Sequence, residues 1–314
     1  MRKFLKRQAA MRGATKIEQD PFGNLFITKG TADTYPCLAA HIDQVQREHS
    51  RDFRVVEIGD DVIGWSPKCH EQQGLGADDK NGIFICLECL RQYDCLKVAF
   101  FVGDEVGCVG SSRCDLSFFS DCRFIIEPDR RGADDLITDM CCGDVCSNEF
   151  VAAINAKQFG YSHNTGSITD VGELTERNVG ISCLNLSCGY YNAHTSQEYT
   201  VLSELENCLH FVRHIIETCT DVYPFTGGRR SLYGYLYNSA YSAFQEDEDY
   251  EMMDSLISSQ PDITFEDVAA DWGINFHTRD YDILEMIYDD VKMWYDGKRA
   301  ANDDDFLTGN TPAA

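Results

Sequence analysis

The chain has 314 residues, 43% of them hydrophobic and 25% charged, with a formal net charge of −25 at pH 7. That is enough chain for one sizeable core plus an accessory segment, and so acidic a balance excludes the clustered Lys and Arg that nucleic acid or an anionic membrane surface requires. No apolar run approaches the roughly 18 residues of a membrane span, and no signal-like apolar region follows the basic stretch 1–16, so a cytoplasmic protein is expected.

From about residue 22 to 219, short β-type runs alternate with helical periodicity, the pattern of an α/β layered domain. Strands are predicted over 24–28, 36–41 and 53–58. A helix follows Lys80, with Ile83, Cys86, Leu87 and Leu90 on one face. Further strands are predicted over 97–102 and 123–127. His163 falls in a predicted loop, and Thr169–Asp170 opens a short helix. After the strand 181–186, a long helix carries Leu205, Cys208, Leu209, Val212, Ile215 and Ile216 on one face. Ser203 and Glu206 read as its capping box.

Composition shifts near Pro224. Thr226-Gly-Gly-Arg-Arg reads as a loop, 246–251 as a solvated acidic run, 281–294 as a helix, and the tail from Asn302 as disordered. The division expected is therefore one domain over 1–222 and an acidic, mainly helical extension over 223–314. The 15 cysteines are scattered and odd in number, which points to reduced thiols packed in the core rather than a disulfide framework. Cys86-Leu-Glu-Cys89 has the spacing of a metal site, but Cys86 lies on the apolar helix face and core packing is the better reading.

Five segments carry potential chemistry. Ala40-His41-Ile42-Asp43 ends a predicted strand; His41 offers a metal-binding imidazole, and Asp43, two residues on, can orient it. Gly74-Leu-Gly-Ala-Asp78-Asp79 enters a helix, where acids often serve only as caps, yet the Asp78 carboxylate has one oxygen for each of two metal ions. Asp104-Glu105-Val-Gly closes an apolar strand with one acid to bind metal and one to take a proton. Glu127-Pro-Asp129 closes another. His194, after Gly189-Tyr190-Tyr191-Asn192-Ala193, supplies a second imidazole. Four segments follow strands at matching ends and the fifth opens a helix, so all can converge on one crevice.

In this order the segments resemble the zinc exopeptidase superfamily, which includes peptidase T, the glutamate carboxypeptidases and the leucine-type aminopeptidases. Leu75-Gly-Ala-Asp-Asp-Lys-Asn-Gly is similar to peptidase T in particular, and Asp-Glu-Val-Gly resembles the family's acid pair. The resemblance covers roughly residues 20–219. It implies a three-layer αβα sandwich with a mixed, mostly parallel central sheet, the zinc exopeptidase-like phosphorylase/hydrolase fold. It implies two zinc ions, with cobalt or manganese as alternatives. His41 and Asp129 would hold one ion, Glu105 and His194 the other, and Asp78 would bridge them. Asp43 would orient His41, and Asp104 would be the general base. The bond after Asp78 is expected to be cis, and Asp170 and Tyr191 are candidate substrate contacts.

Two departures matter. The family's base is normally Glu, and an Asp at 104 withdraws the carboxylate by about 1–1.5 Å, a misplacement that can cost ~100-fold in rate. His41 and Asp78 lie 37 positions apart, and Asp129 and His194 lie 65 apart; neither gap holds an inserted lid domain, which favours the compact aminopeptidase branch. The expected activity is hydrolysis of short peptides by an aminopeptidase or di- or tripeptidase, with a homo-oligomer as a further expectation. The alternatives are an amidohydrolase or carboxypeptidase acting on N-acyl amino acids, and a metal-binding pseudoenzyme that serves as an interaction protein.

Overall fold

The computed structural model describes residues 1–46, 49–140, 143–226, 253, 256–272, 288, 291 and 292. The chain forms two compact units, residues 1–229 and 230–314. Of the sequence expectations, most of the loop 226–230, the acidic run 246–251, most of the helix 281–294 and the tail from 302 lie outside the described residues. Among the described residues no helix is long and apolar enough to cross a membrane.

The first unit begins with helix α1 (Arg2–Met11), followed by strands β1 (Ala14–Gln19), β2 (Leu25–Lys29) and β3 (Tyr35–His41). Next come β4 (Arg54–Ile58), β5 (Asp61–Ser66), β6 (Glu71–Gln73), helix α2 (Ala77–Gln92), β7 (Leu96–Phe101) and β8 (Cys122–Arg130). The chain continues through β9 (Asp135–Met140), β10 (Gly143–Asp144), α3 (Asn148–Ala153), β11 (Ser162–Gly166) and α4 (Asp170–Glu176). It closes with β12 (Cys183–Ser187), β13 (Tyr190–Tyr191), β14 (Tyr199–Val201) and α5 (Leu202–Thr218).

Nine strands build the central sheet in the order β1-β2-β7-β3-β8-β12-β9-β10, with β11 beside β9. Its middle, β7-β3-β8-β12, is parallel, and antiparallel strands flank it. Central parallel strands are covered on both faces and so read as unbroken apolar runs; all seven residues of β3 are buried. Side chains alternate between the faces. Leu38, Ala40, Val98, Phe100, Phe124, Ile126, Leu184 and Leu186 join Leu5 of α1, Leu90 of α2 and Val212 of α5 in one core. Cys37, Ala39, Ala99, Phe101, Ile125 and Cys183 join Val171 and Leu174 of α4 in the other. The result is three layers around a mixed sheet, and its four central strands end on one side.

Four differences from the sequence reading have physical causes. The strand predicted over 53–58 is β4, but it belongs to a second, five-stranded antiparallel sheet, β13-β14-β5-β4 with β6 beside β5. This sheet joins the segment between His41 and Asp78 to the segment around His194. His163 lies on the exposed strand β11, not in a loop, with its ring against the Thr138 hydroxyl. Ser203 does not cap α5, which starts one residue earlier. Asp60, at the β4–β5 turn, takes that role: its carboxylate accepts from the Ser203 N–H at 3.2 Å and from its hydroxyl, and its carbonyl accepts from the Leu202 N–H at 2.8 Å. The helix predicted after Lys80 starts earlier too, at Ala77. Cys86 and Cys89 are free thiols buried in the core.

In the second unit, Met253, Ile257, Phe265, Val268, Ala269, Tyr288 and Val291 form a small core. The helix Phe265–Trp272 contributes three of these residues. The Tyr288 hydroxyl donates to the Ile263 carbonyl at 2.6 Å.

Candidate active site

The ends of the parallel strands carry the acidic and imidazole groups to one place. His41 is the last residue of β3 and is fully buried. Asp104 and Glu105 follow β7, Asp129 is the last residue but one of β8, and His194 stands in the turn between β13 and β14. The His194 backbone is left-handed, φ +66°, a conformation uncommon for a side chain other than glycine. Asp78 and Asp79 open α2 with non-helical backbone, and the peptide bond between them is cis.

Asp78 sits between the two imidazoles. Its Oδ1 lies 2.8 Å from His41 Nε2, and its Oδ2 lies 3.3 Å from His194 Nε2. Each imidazole has a further carboxylate: Asp129 Oδ1 lies 3.6 Å from His41 Nε2, and Glu105 Oε2 lies 2.9 Å from His194 Nε2. The site therefore has two halves, His41 with Asp129 and His194 with Glu105, that share Asp78. Asp104 Oδ2 stands 3.9 Å from His41 Nε2. Cys108 donates its thiol to Asp104 Oδ1 at 3.2 Å.

The neighbours of these groups hold them in place. Asp79 is held by backbone; its Oδ2 accepts from the His41 N–H at 3.1 Å and its Oδ1 from the Gly82 N–H at 2.8 Å. Asp43 Oδ1 faces His41 Nδ1 at 3.7 Å, longer than a hydrogen bond. The firm bonds of Asp43 go instead to the backbone after β7, from the Gly103 N–H at 2.7 Å and the Glu105 N–H at 3.3 Å. Asp43 thus fixes the loop that carries Asp104 and Glu105 while it faces the imidazole.

The electrostatics follow from crowding charge into a dry place. Burial works against the charged forms of both histidines, but Asp129 and Asp104 around His41, and Asp78 and Glu105 around His194, hold both imidazoles well above their usual value. Burial alone would raise Asp78, yet the two imidazoles outweigh it and hold that carboxyl low. Asp104 is pushed up to about 6, by burial first and Glu105 next, against the pull of His41. Burial and neighbouring acids also raise Asp79, Asp129, Glu127 and Asp170.

Buried oxygens of Glu105 (Oε1) and Asp129 (Oδ1) have no hydrogen-bond partner, and neither has His41 Nδ1. Buried polar atoms are normally satisfied, so unpaired carboxylate oxygens beside imidazole nitrogens mark where a cation belongs. Imidazole with carboxylate is a donor set that suits zinc and its neighbours in the first transition row. His41, Asp78 and Glu105 present donor atoms within 4.8 Å of one another, as do His41, Asp79 and Asp129. The residues present fit metal binding.

The structure thus brings together His41, Asp43, Asp78, Asp104, Glu105, Asp129 and His194. Asp170 is fully buried, accepts from the Ser111 hydroxyl and stands in a cluster with Asp104 and Cys108. Tyr191 is half-buried, stacks on Tyr199 of the neighbouring strand and donates its hydroxyl to Glu204 of α5 at 2.8 Å. Sequence reading missed Glu198. This fully buried acid accepts from the backbone N–H groups of Gly76 and, at 3.1 Å, of Asp78, and burial pushes it up to about 7. Its partners are amides more than a hundred residues away, which leave no local signal.

No family model and no curated protein matches the chain. Solved structures do. Aminopeptidase PepT from Bacillus cereus ATCC 10987 superposes with a TM-score of 0.54 at 15% identity, covering 70% of this chain and 92% of that one. A tripeptidase from Staphylococcus aureus subsp. aureus mu50 gives 0.53 at 15%, covering 69% and 91%. An aminopeptidase from the archaeon Desulfurococcus kamchatkensis gives 0.54 at 13%, covering 70% and 91%. The chain therefore has the fold of these peptidases, the fold that the sequence resemblance implied.

Proposed function

We propose that the chain is a metal-dependent exopeptidase that removes residues from the amino end of short peptides. The observation that carries this reading is the Asp78 carboxylate, set with one oxygen toward each imidazole and a further carboxylate beside each. On this reading His41, Asp129 and Asp78 hold one zinc ion, and Asp78, Glu105 and His194 hold the other; cobalt or manganese suits the same donors. When bound, such ions acidify a water and polarise the scissile carbonyl.

The remaining steps belong to the chain. Asp104 accepts the water proton as the water oxygen adds to the carbonyl carbon, then delivers it to the departing amine as the C–N bond breaks. Its raised value, about 6, suits a group that must take a proton and give it back near neutral pH. Asp43 holds the backbone of Gly103 and Glu105, so base and ligand stay in register. The fold similarity to two aminopeptidases and a tripeptidase supports the reading.

The acidity of the site favours the amine end of a substrate. Asp43, Asp78, Asp79, Asp104, Glu105 and Asp129 set six carboxylates about the two imidazoles; two bound dications would offset four of these charges, and the remaining excess attracts an ammonium group and repels a carboxylate. The test has two parts: count the metal in purified protein, then compare free and N-acetylated forms of the same di- and tripeptides. Two ions per chain and cleavage of only the free-amine peptides is the expected result. Preference for the acylated peptides would turn the reading to an amidohydrolase. No hydrolysis of either form by a metal-loaded chain would sink it.

A further inference from the structure

Besides the groups that face the shared centre, a further buried acid is tied to it through backbone. Glu198 is fully buried and stands four positions after His194, in the same turn. Its carboxylate accepts from the N–H of Gly76 through one oxygen and from the N–H of Asp78 at 3.1 Å through the other. The segment it grips is held by a second side chain as well: Lys80 Nζ donates to the carbonyls of Leu75 at 3.0 Å and Gly76 at 2.8 Å. Gly76 itself has φ +65°, and the Gln44 and Lys80 side chains fill the space where a Cβ would lie.

We propose that Glu198 is a positioning residue that sets the placement of Asp78 relative to His194, and with it the second metal-binding half of the site. The inference rests on the two-ion reading above. The two halves are built differently. On the His41 side, Asp79 accepts from the His41 N–H, so strand β3 and the start of α2 are joined directly. On the other side, His194 lies on a turn of the small sheet, and the carboxylate of Glu198 joins that turn to the backbone of Asp78 itself. The Thr200 hydroxyl, on the neighbouring strand, donates to Asn81 Oδ1 at 3.0 Å, and Asn81 Nδ2 donates to the Cys188 carbonyl at 2.9 Å. That second link joins the same two elements without touching Asp78.

The chemistry explains why an acid stands at this position. A carboxylate offers an acceptor to each of two N–H groups. A glutamine of the same shape offers one acceptor and turns an NH₂ donor toward the other N–H. Glu198→Gln therefore keeps the volume and the burial but breaks one of the two grips.

The full chain is titrated with Zn²⁺ by calorimetry and with Co²⁺ by its visible spectrum, as wild type, Glu198→Gln, Glu198→Asp and Thr200→Val, after circular dichroism shows each to be folded. Glu198→Gln is expected to bind one ion as wild type does and the other roughly 10–100-fold more weakly, the usual cost of removing a residue that supports a metal ligand. Glu198→Asp, which keeps the charge but reaches less far, is expected to fall between the two. Thr200→Val removes the parallel link and is expected to lower the melting temperature without changing either affinity. The proposal is overturned if Glu198→Gln and Glu198→Asp titrate like wild type, or if Thr200→Val weakens the same ion as much. A wild-type chain that takes up fewer than two ions would overturn the two-ion reading as well, an outcome that the wild-type titration alone identifies.

Discussion

The thiol of Cys108 donates to Oδ1 of Asp104 across 3.2 Å. An aspartate is one methylene shorter than the glutamate that the family resemblance implies at this position, so its placement depends on what holds it. Cys108 holds one oxygen and leaves Oδ2 facing the site, 3.9 Å from His41 Nε2. Removing the base by Asp104→Asn is expected to lower kcat by roughly 10²–10⁴-fold while metal uptake stays at the wild-type level. Asp104→Glu, which restores the longer reach, is expected to be at least as active as wild type. An Asn variant that turns over at the wild-type rate would place the base elsewhere.

The two imidazoles should respond differently to truncation. The His194 side chain is 32% exposed and that of His41 is fully buried. His194→Ala and Glu105→Ala are expected to abolish hydrolysis and release one ion, with the melting temperature of the metal-free protein nearly unchanged. His41→Ala is expected to lose activity and stability together. It opens a cavity beneath the sheet end and leaves Asp78 Oδ1 without its 2.8 Å partner, which together cost about 2–5 kcal/mol. Differential scanning calorimetry on chelated protein measures the contrast, and equal melting temperatures for the His41 and His194 variants would contradict it.

The middle of the central sheet was legible because β3, β7 and β8 are buried on both faces and so appear as mainly apolar runs that lead into an acid or a histidine. That one pattern located β3, β7 and β8 together with His41, Asp104, Glu105 and Asp129. The second sheet was not legible. Its strands are short and half-exposed, Glu71–Gln73 and Tyr190–Tyr191 among them, and β14 pairs with β5 across more than a hundred residues. Tertiary pairing, not local propensity, makes them strands. The cap of α5 was misread for the same reason. The Ser203 hydroxyl that a local motif assigns to its own helix is taken by Asp60, a partner that only the folded chain brings near.

Gly82 tests how tightly the entrance of α2 is packed. A Cβ there would overlap the Asp79 carboxylate and lie 2.6 Å from the Pro128 carbonyl. Asp79 cannot yield without giving up its bond to the His41 N–H. Gly82→Ala is therefore expected to destabilise the protein by about 1–3 kcal/mol and to weaken metal binding with it, although alanine ordinarily favours a helix over glycine. Thermal unfolding with and without Zn²⁺ reads both effects. A variant as stable as wild type would mean that Asp79 does not hold this position.

Removing metal should leave the protein with an unusual response to pH. In the metal-free site, burial and mutual repulsion raise Asp104 to about 6 and burial raises Glu198 to about 7; Asp79, Asp129, Glu127 and Asp170 are raised as well. A carboxyl with a folded value above its unfolded one binds more protons when folded, so stability falls as pH rises between the two values. The raised histidines act in the same direction only above about pH 6.5, where the unfolded imidazoles lose their protons first. Only Asp43 and Asp78 oppose this, and their contribution is lost below about pH 4. Chelated protein is thus expected to be most stable in mild acid and to lose on the order of a few kcal/mol from pH 4 to 7. Zn²⁺ neutralises the same carboxylates, so loaded protein should show its greatest gain over chelated protein near neutrality. Urea unfolding at pH 4.5, 6 and 7.5, with and without metal, measures both slopes. A chelated protein that gains stability over this range would show that the acids of the site are not crowded as the structure has them.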